Sequence, residues 1–137
     1  MAKIARSKGV IYNSSVWSID LLNWIDPYLD FYKIGSGDLT AYPLIKELVK
    51  RRKPIILSTG LSSLNEVLET VSFIQKLDKV YCKPEMMCLL QCTSMYPIPL
   101  SDANLNVMSD LRERTGLSVG YSDHTEGIEV PIAAVAL

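Results

Sequence analysis

The chain has 137 residues, of which 48% are apolar, enough to build one domain with a sizeable core. Its 14 Lys and Arg against 15 Asp and Glu leave a formal charge of -1, which offers nothing to a polyanion and excludes nucleic acid as an expected partner. Neither a signal-peptide pattern nor an apolar run near the roughly 18 residues of a membrane span is present, and three cysteines without C-x-x-C spacing suit a reducing compartment, so a cytoplasmic protein is expected.

In chain order, the first pattern is helical, MAKIARSKG, and GVIYNSS (9–15) follows as the first of five short β-rich runs. The others are DFYKIGSG (30–37), PIILSTG (54–60), MCLLQCTS (87–94) and LSVGYS (117–122). Each is nearly continuous in apolar residues and turns polar at its C-terminal end, as parallel strands buried on both faces do. A helix is predicted from Tyr42 to Arg52, opened by Thr40 and Pro43, with Leu44, Ile45, Leu48 and Val49 inward. The basic run KRRKP that closes it suits a helix C-terminus. SSLNEVLETVSFIQKL is the clearest helix: Ser63 and Glu66 form a capping box, and Leu64, Val67, Leu68, Val71, Ile74 and Leu77 keep one face apolar. Residues 79–86, KVYCKPEM, read as a linker-like insertion. A third helix spans about Asn104 to Arg114, with Leu105, Met108 and Leu111 inward and Gly116 placed to stop it. The sequence ends in an apolar helical run, VPIAAVAL.

This alternation predicts right-handed βαβ units, a parallel sheet and an α/β fold. Strands begin roughly 20 to 33 residues apart, close to one eighth of the about 250 residues of a (β/α)8 TIM barrel. A doubly wound open sheet has similar spacing, although no G-x-G-x-x-G follows the first strand. Both ends fall within uncapped helical patterns, so residues 1–137 are expected to form a single partial domain. On the barrel reading it holds about five parallel strands and is incomplete at both ends.

In parallel α/β folds ligands bind at the C-terminal ends of strands. The second run supplies Lys33, Ser36 and Asp38 there, the third Ser58 and Thr59, the fourth Gln91, Thr93, Ser94 and Tyr96, and the fifth Ser122, Asp123, His124 and Thr125. One cation, several hydroxyls and glycine-supplied N–H groups at one mouth suit a phosphate, and Asp38 and His124 add acid–base or metal-ligating groups. Each also has an ordinary alternative. Ser58 and Thr59 suit a helix cap, Asp38 a turn, His124 a structural contact and Cys92 packing. Lys33, flanked by Phe31, Tyr32 and Ile34, would be buried, which is costly for an unpaired ammonium.

The segments KIGSGDLTAYPLI, KPIILSTGLSSLNEV, LLQCTSMYPIPLSDANL and VGYSDHTEGI, in this order, resemble the sialic acid synthase family, the N-acetylneuraminate synthases and their relatives. The resemblance runs from about Ser15 to Leu137. It implies a TIM barrel that condenses phosphoenolpyruvate with N-acetylmannosamine or a related 2-acylamino hexose, giving a nonulosonic acid and phosphate. A divalent metal, Mn2+ or Mg2+, is implied as cofactor, polarising the sugar aldehyde for attack by C3 of phosphoenolpyruvate. By matching position, Lys33 and Ser36 are implied to hold the phosphate and carboxylate, with Ser58 and Ser122 as further hydroxyl donors. His124 is the implied metal ligand, and Asp38 is the implied catalytic acidic group beside metal and sugar. Tyr96 and Ser94 are expected on the substrate side, Ser94 standing where many bacterial members have asparagine.

The family's second metal histidine, in an E-K-H-F segment, a further phosphate-binding lysine and a C-terminal antifreeze-like domain are not found among these residues. The chain alone is therefore expected to be inactive or nearly so, and the full-length protein is expected to be a homodimer. A non-catalytic anion-binding half-barrel module and a Schiff-base aldolase using Lys33 remain as alternatives. The acceptor sugar stays open among N-acetylmannosamine, its 6-phosphate and the legionaminic and pseudaminic acid precursors.

Overall fold

Four strands pair in parallel in the order in which the chain makes them: β1 (Tyr32–Ile34), β2 (Ile55–Ser58), β3 (Met87–Cys92) and β4 (Ser118–Ser122). The computed structural model describes all 137 residues and adds six helices: α1 (Ala2–Ser7), α2 (Ile19–Ile25), α3 (Tyr42–Val49), α4 (Leu64–Leu77), α5 (Asn106–Thr115) and α6 (Glu129–Ala136). Strand order separates the two architectures that spacing left open. A doubly wound sheet reverses its order at a switch point, whereas consecutive order with the crossover helices on one face is the arrangement of part of a (β/α)8 barrel.

The helix-covered face holds the core. Tyr32, Ile34, Ile55, Leu57, Met87 and Leu89 alternate along the strands and pack against Leu44, Ile45, Leu48 and Val49 of α3, Val67, Val71 and Ile74 of α4, and Leu111 of α5. Each such side chain contributes about 1.5–3 kcal/mol on leaving water. The intervening residues, Lys33, Ile56, Ser58, Cys88, Leu90 and Cys92, point to the opposite face, and none belongs to the core cluster.

The predicted caps and stops hold where they were specific. Ser63 and Glu66 form the reciprocal capping box of α4, and Gly116 ends α5 in the left-handed region at φ 66°. Thr40 does not cap α3: Ala41 holds that position, and Pro43 lies in the first turn.

Two further expectations are corrected, and one helix lay outside them. Residues 9–15 form no strand, so the parallel strands number four rather than five. Val10 and Ile11 are exposed; the segment is held by Tyr12, packed against the core, and by Asn13 Nδ2, which donates to the Phe31 carbonyl at 2.8 Å, side-chain contacts in place of a backbone ladder. Helix α2 was not predicted because its apolar residues do not share one buried stripe: Leu22 is buried while Ile19, Leu21 and Trp24 are exposed. Residues 79–86 are more than a linker. They contain a 3-10 turn (Lys79–Cys82) anchored by Tyr81, fully buried, whose hydroxyl donates to the Lys53 carbonyl at 2.8 Å.

Candidate functional site

Register sets which side chains meet at the C-terminal edge of the sheet. Lys33 stands level with Ile56 and Cys88, Ser58 with Leu90, and Cys92 with Ser122, all on the face away from the core. From β1, Lys33 Nζ donates to Ser58 Oγ at the end of β2. An ammonium has only donors, so Ser58 accepts and keeps its own proton to give elsewhere. The same logic applies to Ser36, in the 3-10 turn after β1, whose Oγ accepts the Gly60 backbone N–H at 3.0 Å. Neighbouring strand ends thus hold an ammonium and two hydroxyl groups, each with protons left to donate.

Lys33 is half-buried and enters none of the salt bridges, which involve Lys50, Arg51, Arg52, Lys53 and Arg114. Desolvation pulls its ammonium below the ordinary lysine range, and negative charge on Cys92 or Cys88 would pull it back up. Burial also raises the Cys88 thiol, so at neutral pH that sulfur keeps its proton and gives no such help. A partly desolvated cation without a carboxylate partner is costly. A bound anion offsets that cost, and this is what the geometry offers a ligand.

His124 is fixed from three directions by the loop after β3. Its Nδ1 lies 2.9 Å from the Thr93 carbonyl, its backbone carbonyl accepts from Ile98 N at 3.0 Å, and the Tyr96 ring lies over the imidazole at 4.0 Å between centroids. Because a carbonyl can only accept, Nδ1 carries a hydrogen; in the neutral ring that leaves the lone pair on Nε2, the tautomer of a metal-ligating imidazole oriented by a backbone oxygen. The Cys92 sulfur, buried 4.0 Å from the same Nδ1, joins this group to the Lys33 side of the sheet.

Asp38 ends the turn that begins at Ser36 and keeps its carboxylate out of every salt bridge; it does not cap α3. Ser122 closes β4 beside Cys92. Ser94 lines a cavity of about 530 Å³ together with Thr59, Ser62, Thr93 and Met95. Other polar residues are committed elsewhere. Thr59 Oγ1 donates to the Leu90 carbonyl at 3.0 Å, Thr93 Oγ1 to the Asp102 carbonyl at 2.8 Å and Gln91 Nε2 to the Ala103 carbonyl at 3.4 Å, and Asp123 Oδ1 accepts from Thr125 N at 2.9 Å. These tie strand-end loops down. Sequence reasoning missed Gly60, whose N–H orders Ser36; the glycine closing the STG of PIILSTG was its only signal.

A divalent metal finds one uncommitted imidazole here and no group of three His, Cys, Asp or Glu side chains able to hold it. His124 Nε2 fits as one contributor to a metal site; the Asp38 carboxylate, after β1 at the far side of the sheet from β4, is likewise free of salt bridges.

The model of the NeuB family matches residues 1–137, the whole chain. The chain belongs to the NeuB family. An N,N'-diacetyllegionaminic acid synthase of Campylobacter jejuni is 43% identical over 120 residues, covering 88% of this chain and 34% of that protein. The N-acetylneuraminate-9-phosphate synthase of Mus musculus is 35% identical over 108 residues, 78% of this chain and 28% of that protein. Among solved structures, an N-acetylneuraminic acid synthetase from Leptospira borgpetersenii in complex with citrate superposes with a TM-score of 0.88 at 30% identity, covering 98% of this chain and 45% of that one. The chain spans about a third of the length of these curated NeuB relatives. The resemblance read from the four motif segments is thereby established, as is the partial-barrel architecture.

Proposed function

We propose that this chain supplies the anion-holding strand ends of an enzyme that condenses phosphoenolpyruvate with a 2-acylamino hexose to a nonulosonic acid. What supports the reading is Lys33, an unpaired, partly desolvated ammonium hydrogen-bonded to Ser58 beside Ser36, in a chain whose relatives are synthases of such acids. In this scheme Lys33, Ser36, Ser58 and Ser122 bind the phosphate and carboxylate, and Ser94 and Tyr96 border the sugar. C3 of phosphoenolpyruvate forms the new C–C bond to the aldehyde carbon, water adds at C2, and phosphate departs with C–O cleavage. Asp38 serves as the acid–base group for the sugar oxygen. A divalent cation held in part by His124 Nε2 would supply Lewis-acid polarisation of the aldehyde. The test is phosphate release by the whole protein carrying this chain, given phosphoenolpyruvate and a panel of acylamino hexoses. Turnover with one of them supports the reading; none with any hexose, metal present, overturns it.

A second reading has one observation in its favour: the lowered ammonium of Lys33 is a feature of Schiff-base lysines. Borohydride trapping with a keto acid labels Lys33 under that scheme and leaves it unmodified under the first.

A further inference from the structure

Gly60 follows Ser58 and Thr59 and does not have a positive φ, so its backbone does not call for glycine. Space does. A Cβ built there would press hardest on Ser94 Oγ, stand 2.8 Å from Ser36 Oγ and 3.1 Å from the Cys92 carbonyl oxygen. Real Cβ atoms essentially never approach as closely as the two hydroxyls would require, and the Cys92 carbonyl, tight at its distance, belongs to β3 and has less freedom to yield than a side chain. Three strand ends therefore close on one bare Cα: the turn after β1 through Ser36, β2 through Gly60 itself, and β3 through Cys92 and Ser94. Gly60 also donates its N–H to Ser36, which fixes the direction in which that hydroxyl presents its proton.

From this we infer that Gly60 is a positioning residue for the anion site: its missing side chain leaves the Ser36 hydroxyl its place, wedged between Gly60 and the Ser94 side chain that borders the sugar. The inference rests on the function proposed above and deepens it. A methyl group there pushes the Ser36 hydroxyl out of place, and a donor to a rigid three-carbon phosphorylated anion loses its fit when displaced by a fraction of an ångström.

The test measures phosphoenolpyruvate binding by calorimetry, in the whole protein carrying this chain, together with melting temperature. Gly60→Ala is expected to weaken binding at least tenfold. Adding Ser94→Ala removes the tightest contact, so the double variant should bind better than Gly60→Ala alone, a recovery that general loosening of the fold would not give. Unchanged phosphoenolpyruvate affinity in Gly60→Ala, or a double variant no better than the single, overturns the inference. Should Gly60→Ala fail to fold, the comparison passes to Ser94→Ala against the double variant. The contact with Ser36 then still predicts several-fold weaker binding in the double, and equal binding overturns the inference. Absence of phosphoenolpyruvate binding by the unchanged protein would instead remove the functional reading, and this inference with it.

Discussion

Lys33 carries a desolvation cost that a bound anion would offset, and its titration makes this measurable. Burial holds its ammonium below the ordinary value of about 10.4, so the proton that attracts an anion is lost earlier than from a free lysine. Phosphoenolpyruvate affinity should therefore weaken as pH rises through the lowered pKa, with the alkaline limb visible below 10.4; a limb at or above the free-lysine value would contradict the burial argument. Stability follows the linkage sign. Between the lowered folded pKa and the ordinary value the unfolded chain binds more protons than the folded one, so stability gains with pH across that window, and the burial cost is complete below it. Lys33→Met should lower phosphoenolpyruvate affinity by about 10- to 100-fold, the scale of a lost charge-assisted hydrogen bond. It should also leave the protein no less stable at neutral pH, measured by urea denaturation. Under the proposed function the His124 imidazole is itself a metal ligand, and the Thr93 carbonyl is the group that orients it. His124→Ala should raise the Mn2+ concentration needed for half-maximal activity by at least about 100-fold, the upper range for losing an outer-sphere partner. An unchanged metal requirement would remove His124 from the metal site.

Elements were legible in the sequence where local chemistry and burial agree. Helix α4 is the clearest case, because Ser63 and Glu66 satisfy each other's backbone groups at a defined spacing and the apolar residues behind them repeat every three or four positions. Removing that cap with Ser63→Ala should cost about 1 kcal/mol. Gly116→Ala, which forces a side chain into the left-handed region that ends α5, should cost about as much or more. Chemical denaturation of both variants checks the pair, and an unaffected Gly116→Ala would mean that the terminus relaxes to another stop. The misread elements fail for the opposite reason. Residues 9–15 have strand composition, yet a strand exists only through its partners, and periodicity cannot report that a side chain, Asn13, makes the contact with Phe31, just ahead of β1, instead. Helix α2 turns most of its apolar residues outward, so pattern and burial disagree there. The site was legible at the level of strand-end residue types, because a parallel sheet sends the residues after each strand to one edge. What remained hidden was which polar groups would be free: the hydroxyls of Thr59 and Thr93 match those of Ser36 and Ser58 but, like the Gln91 amide, are consumed by backbone carbonyls, of Leu90 in β3 and of Asp102 and Ala103 in the loop after it.

At the scale of the whole molecule, the sheet is open, and its two faces differ in kind. One face is sealed by α3, α4 and α5; the other presents Ile56, Leu90 and Cys88 only half-covered, and β1 and β4 each leave one edge without a strand partner. Trp17, Leu21 and Trp24 add exposed apolar surface around α2. Unpaired edges recruit other strands and exposed apolar area recruits its like. The 137-residue chain by itself should therefore self-associate, with a scattering mass above that of a 15.3 kDa monomer and rising with concentration. It should also release no phosphate from phosphoenolpyruvate above background, since His124 contributes a single imidazole and no three-ligand metal group forms among its side chains. The two halves of this prediction separate under test. A monodisperse monomer in light scattering would mean that the half-covered face is adequate on its own, while robust Mn2+-dependent turnover would mean that Lys33, Asp38 and His124 suffice for the chemistry. Either result would force a new account of how a four-strand sheet completes its site.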